Sequence, residues 1–257
     1  MRMLIAGKSG WGKSYVAQSY LEDNLDEFDH VVILDWKDEF RGLAKEGLVR
    51  WMGVDDAEAG LDAGEWVRII EQNPKLIVAR AVDNEAWTEV VATVAQAARM
   101  VDGSVLVGID EAHTVAPQSG ALLKPIELLA TTGRGGVSSV WMVQRLQKLD
   151  ETVISQTNAR LLGGFGSDKD RGKLDVEYPV EVHNPQASGE IQNLPAEIHH
   201  PEDGPVALKK AENDGVVVMS EWIYSDDDGY MERRDSSEIE MASTHYGGSD
   251  KELRHPF

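Results

Sequence analysis

The sequence predicts an α/β fold with a central, mostly parallel β-sheet covered by helices on both faces. Three observations lead there. HVVILD (30–35), LIVAR (76–80) and SVLVGID (104–110) are short, nearly continuous apolar runs, the pattern of strands buried on both sides. Segments of helical periodicity lie between such runs, and strands alternating with helices build a parallel sheet. The first strand, MLIA (3–6), runs straight into a glycine-rich loop, GKSGWGKS (7–14), with a helix after it.

Each element has its own signal. Ser14 to Leu25 continues the loop as a helix. Residues 84–100 (NEAWTEVVATVAQAARM) carry helical periodicity, with Asn84 as the expected N-cap. ALLKPIELLATTG (121–133) reads as a helix ending at Gly133 despite an internal Pro125. VSSVWMVQ (137–144) and ARLLGGF (159–165) read as strands that flank a helix near 150–157. VALKKAENDGVVVMSEWIY (206–224) reads as a hairpin turning at Asn213-Asp214-Gly215. From Ser225 onward DDDG, RRDSSE and STHYGGSD are turn and disorder signals. The expected division is a core over 1–175, an extension with the hairpin packed on it over 176–224, and a flexible acidic tail over 225–257.

A chain of 257 residues with 42% apolar content suits one large domain. The absence of cysteine excludes disulfides and cysteine-ligated metal centres, and the histidines show no paired metal-ligand spacing. A metal must therefore come with a nucleotide. MRMLIAG is too short an apolar run for a signal peptide, and no stretch nears the roughly 20 residues that span a bilayer. The expectation is a soluble, cytoplasmic protein with no integral membrane segment.

The net charge of −20 reads either as acidic residues that keep a globular surface solvated or as the surface of a protein from multimolar salt, where the Debye length falls to about 3 Å and self-repulsion is screened. The charge is unevenly spread: −10 over residues 1–129 (12 basic, 22 acidic), +2 over 130–175 (7 basic, 5 acidic) and −12 over the rest (6 basic, 18 acidic). Only the middle segment suits a phosphate backbone. Its candidate contacts are Arg145, Lys148, Arg160, Lys169, Arg171 and Lys173.

GxxxxGK[ST] between a strand and a helix is a specific polyphosphate motif. Gly7, Gly10 and Gly12 let backbone N–H groups close around phosphates, Lys13 reaches the β and γ oxygens, and Ser14 offers its hydroxyl to Mg²⁺. Ser9 and Tyr15 complete the candidate nucleotide contacts. Lys8 adds a charge beside them, and Trp11 at the tip either caps the loop or stacks near the base or a neighbouring subunit. VLVGIDE supplies the second half: Asp110 at a strand end on the metal side, and Glu111 as the general base toward water. Gln144 ends an apolar strand where side chains meet a γ-phosphate. Arg134, flanked by glycines in TTGRGG, is placed to reach a neighbour's site.

GKSGWGKSY, ILDWKDEF, VLVGIDEAH, TTGRGGVSSVWMVQR and ETVISQTNARLLGGF resemble, in order and spacing over about residues 3–166, the FtsK/HerA superfamily of ring-forming DNA translocases. The match is strongest where Asp35 ends a strand with Glu39 four residues on, and where GR precedes a strand closing in QR. The resemblance implies a RecA-like (ASCE) core, ATP and Mg²⁺ as cofactors, and six subunits around duplex DNA. It also implies γ-phosphate sensing by Gln144 and action in trans by Arg134. Neither the β-barrel that precedes the loop in HerA-type helicases nor the winged helix of FtsK-type pumps fits here. A near-bare motor core looks more like the genome-packaging ATPases of viruses, with a portal or capsid partner, and the acidic surface suits a haloarchaeal host. The alternatives are a nucleotide-dependent assembly switch or a HerA-like DNA-processing ATPase. A small-molecule kinase fits less well, because Asp110-Glu111 suits attack by water.

Overall fold

The computed structural model describes residues 1–132 and 136–247. β1 (Arg2–Ala6) is followed by α1 (Lys13–Asp23), β2 (His30–Asp35), α2 (Arg41–Lys45), β3 (Arg50–Val54) and α3 (Ala63–Gln72). Next come β4 (Lys75–Arg80), α4 (Asn84–Ala98), β5 (Val105–Ile109), α5 (Lys124–Thr131) and β6 (Val137–Val143). The chain continues through α6 (Glu151–Gln156), β7 (Ala159–Leu162), α7 (Asp168–Arg171), β8 (Lys210–Asn213), β9 (Val216–Asp226) and β10 (Met231–Asp235).

Among the described residues the strands form one sheet in the order β10-β9-β7-β1-β6-β5-β2-β4-β3, with β8 on β9. From β7 to β3 every pairing is parallel, while β8, β9 and β10 add an antiparallel edge. Register positions the site. Ala6 lies opposite Val143, Trp141 opposite Ile109, Ile109 opposite Leu34, and Asp35 opposite Ala79. Gly7, Gln144, Asp110, Asp35 and Arg80 consequently emerge at one edge, the carboxyl end of the parallel strands, where open α/β sheets bind ligands.

Residues of β1 alternate between the two faces: Leu4 and Ala6 join the core that holds Trp66, Trp87 and Trp141. Met3 and Ile5 join the one that holds Trp11, Leu21 and Phe40. Period-two burial on both sides is what a central strand requires.

The hairpin turns at Asp214-Gly215, both with positive φ (50° and 77°), as a two-residue turn between right-twisted strands demands. Several boundaries differ from expectation. Asp83, not Asn84, caps α4, its carboxylate accepting from Ala86 N at 2.9 Å. Helix α5 begins at Lys124, so Pro125 sits in the first turn, where no intrahelical N–H is missed. β7 stops at Leu162.

Residues 41–72, to which the sequence reading assigns no element, hold α2, β3 and α3. The stretch from Ser225, expected as a loose tail, instead completes β9, forms β10 against it and runs on over α1. Its turn-rich composition conceals one alternating strand, MERRD, stabilised by its neighbour. Residues 248–257 of that tail, and Arg134, lie outside the described residues.

Candidate nucleotide site

The glycine-rich loop joins β1 to α1 at the sheet edge. Gly10 and Gly12 have φ of 69° and 85°, left-handed values that glycine adopts without strain. Gly12 is the N-cap of α1 and supplies no side-chain acceptor, so the first amides of that helix stay open to an anion. The loop borders a cleft of about 810 Å³. Lys8, Ser9, Gly10, Gly12, Lys13 and Ser14 line it on one side, and Lys37, Arg80 and Gln144 face them. Four cations thus line one cleft, with Asp38 and Glu39 between them, in a protein whose net charge is −20.

Lys13 is buried and its Nζ lies 3.0 Å from Asp110 Oδ1. Burial works against the ammonium charge, but Asp110, Glu111 and Glu39 more than offset it and raise its pKa. The other oxygen, Asp110 Oδ2, is buried and accepts no hydrogen bond among the described residues. An unpartnered buried carboxylate oxygen is costly, and it is the hard oxygen ligand that a divalent cation takes. With the Ser14 hydroxyl in the first turn of α1, the donor set fits Mg²⁺.

Glu111 follows with φ of 44°, a strained value for a glutamate. Lys37 Nζ lies 2.5 Å from its Oε1 and His113 Nδ1 lies 3.3 Å from its Oε2. Burial pushes its pKa up, yet His113, Lys13 and Lys37 together pull it down to about 2, so the carboxylate is ionised at neutral pH. Asp35 behaves in the opposite way: burial and the nearby Asp110 push it up to about 7, although Glu39 N and Phe40 N each donate to it at 3.0 Å. Burial and Asp110 raise Glu39 too. Glu111 held down while Asp35 and Glu39 are pushed up, all close to the Lys13–Asp110 pair, is the divergence expected of a functional cluster.

No family model matches the chain, and no curated protein matches it. Solved structures do. The genome packaging NTPase B204 from Sulfolobus turreted icosahedral virus 2, in complex with ATP-gammaS, has a TM-score of 0.57 at 13% identity over 91% of this chain and 95% of that one. Its AMP complex has 0.58 at 11% identity over 91% and 96%. B204 described as the DNA-packaging ATPase from Sulfolobus turreted icosahedral virus has 0.55 at 12% identity over 91% and 96%. The chain shares the fold of this NTPase.

Within this P-loop fold Trp11 takes the capping role rather than the stacking one. It is buried, donates from Nε1 to Glu221 O at 3.0 Å, and packs so tightly on Gly163 and Gly164 that a Cβ there would come within 2.4 and 2.6 Å of its ring. It anchors the P-loop to β7 and β9 and is not among the cleft-lining residues. Gly7 also lies off the cleft wall, donating to Val143 O at 3.3 Å, while Tyr15 points to the chain's C-terminal segment, with its hydroxyl 3.4 Å from Ile239 O.

The basic candidates divide. Arg160 is buried, with Nη1 2.8 Å from Asp227 Oδ1 and Nη2 2.9 Å from Thr157 O, so its charge is engaged within the chain. Arg171 is tied to Phe165 O and Asp168, and Lys173 to Glu151, so their charges are largely used within the chain. Arg145, Lys148 and Lys169 are exposed. Asp170 of α7 lies 3.8 Å from Arg145 and accepts from Gln147 N at 3.0 Å.

Sequence reading missed Lys37, Arg80, Lys210 and His245. Arg80 stacks 3.9 Å over Trp36 beside the cleft, and Lys210 donates to Gly10 O at 2.9 Å. A charged residue at or just beyond a strand end was the available signal: Arg80 closes β4 and Lys37 lies two residues beyond β2. His245 lies beside Ser14, and burial together with Lys13 depresses its pKa to about 4, leaving the ring neutral at pH 7. No local signal marks it, because its partner is 231 residues away.

Proposed function

We propose that the protein is an ATP-hydrolysing translocase of double-stranded DNA, a viral genome-packaging motor working as a homo-hexameric ring in the host cytoplasm beside a portal or capsid partner. The observation that carries it is the convergence, at one sheet edge, of the P-loop, the buried Lys13–Asp110 pair, ionised Glu111 and Gln144. The similarity to packaging ATPases over 91% of the chain supports the type of motor.

ATP phosphates would occupy the open α1 amides and draw Lys13 from Asp110 to their own oxygens. Ser14 and Asp110 would hold Mg²⁺, which supplies charge neutralisation on the phosphates. Glu111 takes a proton from the attacking water, whose oxygen bonds to the γ-phosphorus as the bond to the ADP oxygen breaks. Gln144 orients the γ-phosphate from the neighbouring strand, and Arg134 acts on the site of the adjacent subunit. Arg145, Lys148 and Lys169 contact the DNA backbone.

The test is ATP hydrolysis in roughly 2 to 3 M KCl, where surface repulsion is screened, with and without long duplex DNA. Stimulation by DNA that disappears in Glu111→Gln is expected, and mixing Arg134→Ala with Lys13→Ala should restore part of the activity. Hydrolysis indifferent to DNA in folded protein would replace this reading with that of a nucleotide-dependent assembly switch.

A further inference from the structure

Ser14, Gln18 and Glu22 stand four residues apart on α1 and share one of its faces. Against that face lies the segment that follows β10, and a chain of hydrogen bonds runs between the two. Its far end is Glu22, which as a carboxylate can only accept. It takes the Ser243 hydroxyl and the amide of Ser243, the latter at 3.1 Å. Having given its proton, Ser243 Oγ accepts from Gln18 Nε2 at 2.7 Å. That turns Gln18 Oε1 toward His245 Nδ1, 2.9 Å away, so Nδ1 carries the ring proton. His245 Nε2 then presents a lone pair to Ser14 Oγ at 3.3 Å. The direction of every link follows from the carboxylate at its end.

We propose that His245 is a positioning residue of the metal site: by accepting the Ser14 hydroxyl proton it leaves the serine lone pairs aimed at Mg²⁺, and the segment 242–247 is part of the nucleotide site. The proposal rests on the reading that Ser14 holds Mg²⁺ beside a nucleotide. The segment is pinned on its other side as well. A Cβ on Gly42 of α2 would come within 2.0 Å of Thr244 O and 3.0 Å of Gln18 Nε2, so only glycine allows this approach. Lys45 lies 4.4 Å over the Tyr246 ring, Tyr15 meets His245 edge-on at 5.8 Å, and Gly247 reaches the cleft. A partly buried, fully directed chain that ends on a ligand hydroxyl is how outer partners orient inner ones.

The experiment is a Mg²⁺ titration of the full chain in the presence of N-methylanthraniloyl-ADP, read as fluorescence of bound nucleotide and independent of turnover. His245→Ala should raise the half-maximal Mg²⁺ concentration about tenfold, as loss of an outer-shell partner does, with affinity in EDTA unchanged. His245→Gln, whose side-chain oxygen can accept the serine proton, should recover part of that loss. An unchanged Mg²⁺ requirement in His245→Ala overturns the proposal. A lowered requirement also overturns it, marking the segment as an obstruction. Weaker binding in EDTA to the same extent overturns it too, as the mark of a purely structural contact. Should His245→Ala not fold, Gly42→Ala, which dislodges Thr244 and Gln18 from outside the site, is judged by the same three criteria. If the unaltered protein binds the nucleotide without regard to Mg²⁺, the metal reading of Ser14 fails first and this proposal with it.

Discussion

Trp11 shows how a side chain inside a phosphate loop can serve packing. Its ring fills the space left by Gly163 and Gly164 and its N–H is satisfied by Glu221 O. Trp11→Ala should therefore cost about 3 to 5 kcal/mol of stability in a chemical denaturation experiment, through the cavity it opens. A loss under 1 kcal/mol would refute the anchor. His183 is a second buried polar residue with a structural task. Burial holds its pKa down to about 4 against the opposing hydrogen bond to Gly163 O (2.8 Å), and Tyr178 occupies the other nitrogen at 3.1 Å. The sign follows from linkage. The unfolded ring titrates near about 6.5, so its contribution is full above that pH and is lost as pH falls through the folded value. Thermal melts between pH 7.5 and 4.5 should show a steeper decline in the native protein than in His183→Gln; equal slopes would exclude this role.

At the level of elements, β9 and β10 clasp the extension to the core. Arg233 and Glu221, both buried, pair at 2.6 Å, and the guanidinium also donates to Val206 O at 2.9 Å and Ala207 O at 3.0 Å. One β10 side chain thereby closes the irregular segment 196–208 onto the sheet edge. Removing one partner leaves a buried charge, so Arg233→Ala should destabilise by about 3 to 5 kcal/mol. Limited proteolysis should cut first between 184 and 208 in that variant; cleavage elsewhere would count against the clasp. The same elements explain an expectation that failed. MERRD is too short and too charged to announce a strand, and only pairing with β9 makes it one. The signals of α3 were local and present, an Asp62–Glu65 capping box ahead of an amphipathic stretch.

For the whole molecule, a net charge of −20 opposes compaction, and added salt screens that repulsion. The melting temperature should rise between about 0.1 and 2 M KCl, where the screening length falls below the spacing of surface charges. A flat or falling curve in scanning fluorimetry would show that the acidic surface is not a salt adaptation. Within that field the cleft sets Lys8, Lys13, Lys37 and Arg80 beside Asp38 and Glu39, and pairs a few ångströms apart outweigh screened charge farther off.

Local order alone determined the parallel core, the P-loop and the acidic pair at the end of β5, because apolar runs, glycine spacing and strand-end carboxylates act within a few residues of one another. Tertiary structure alone decided that Trp11 turns inward, that Arg160 is consumed by Asp227, and that the residues after β10 return to Ser14 through His245. Those outcomes depend on partners distant in sequence. Their energy exists only once the sheet has brought the partners together, so no local pattern records it.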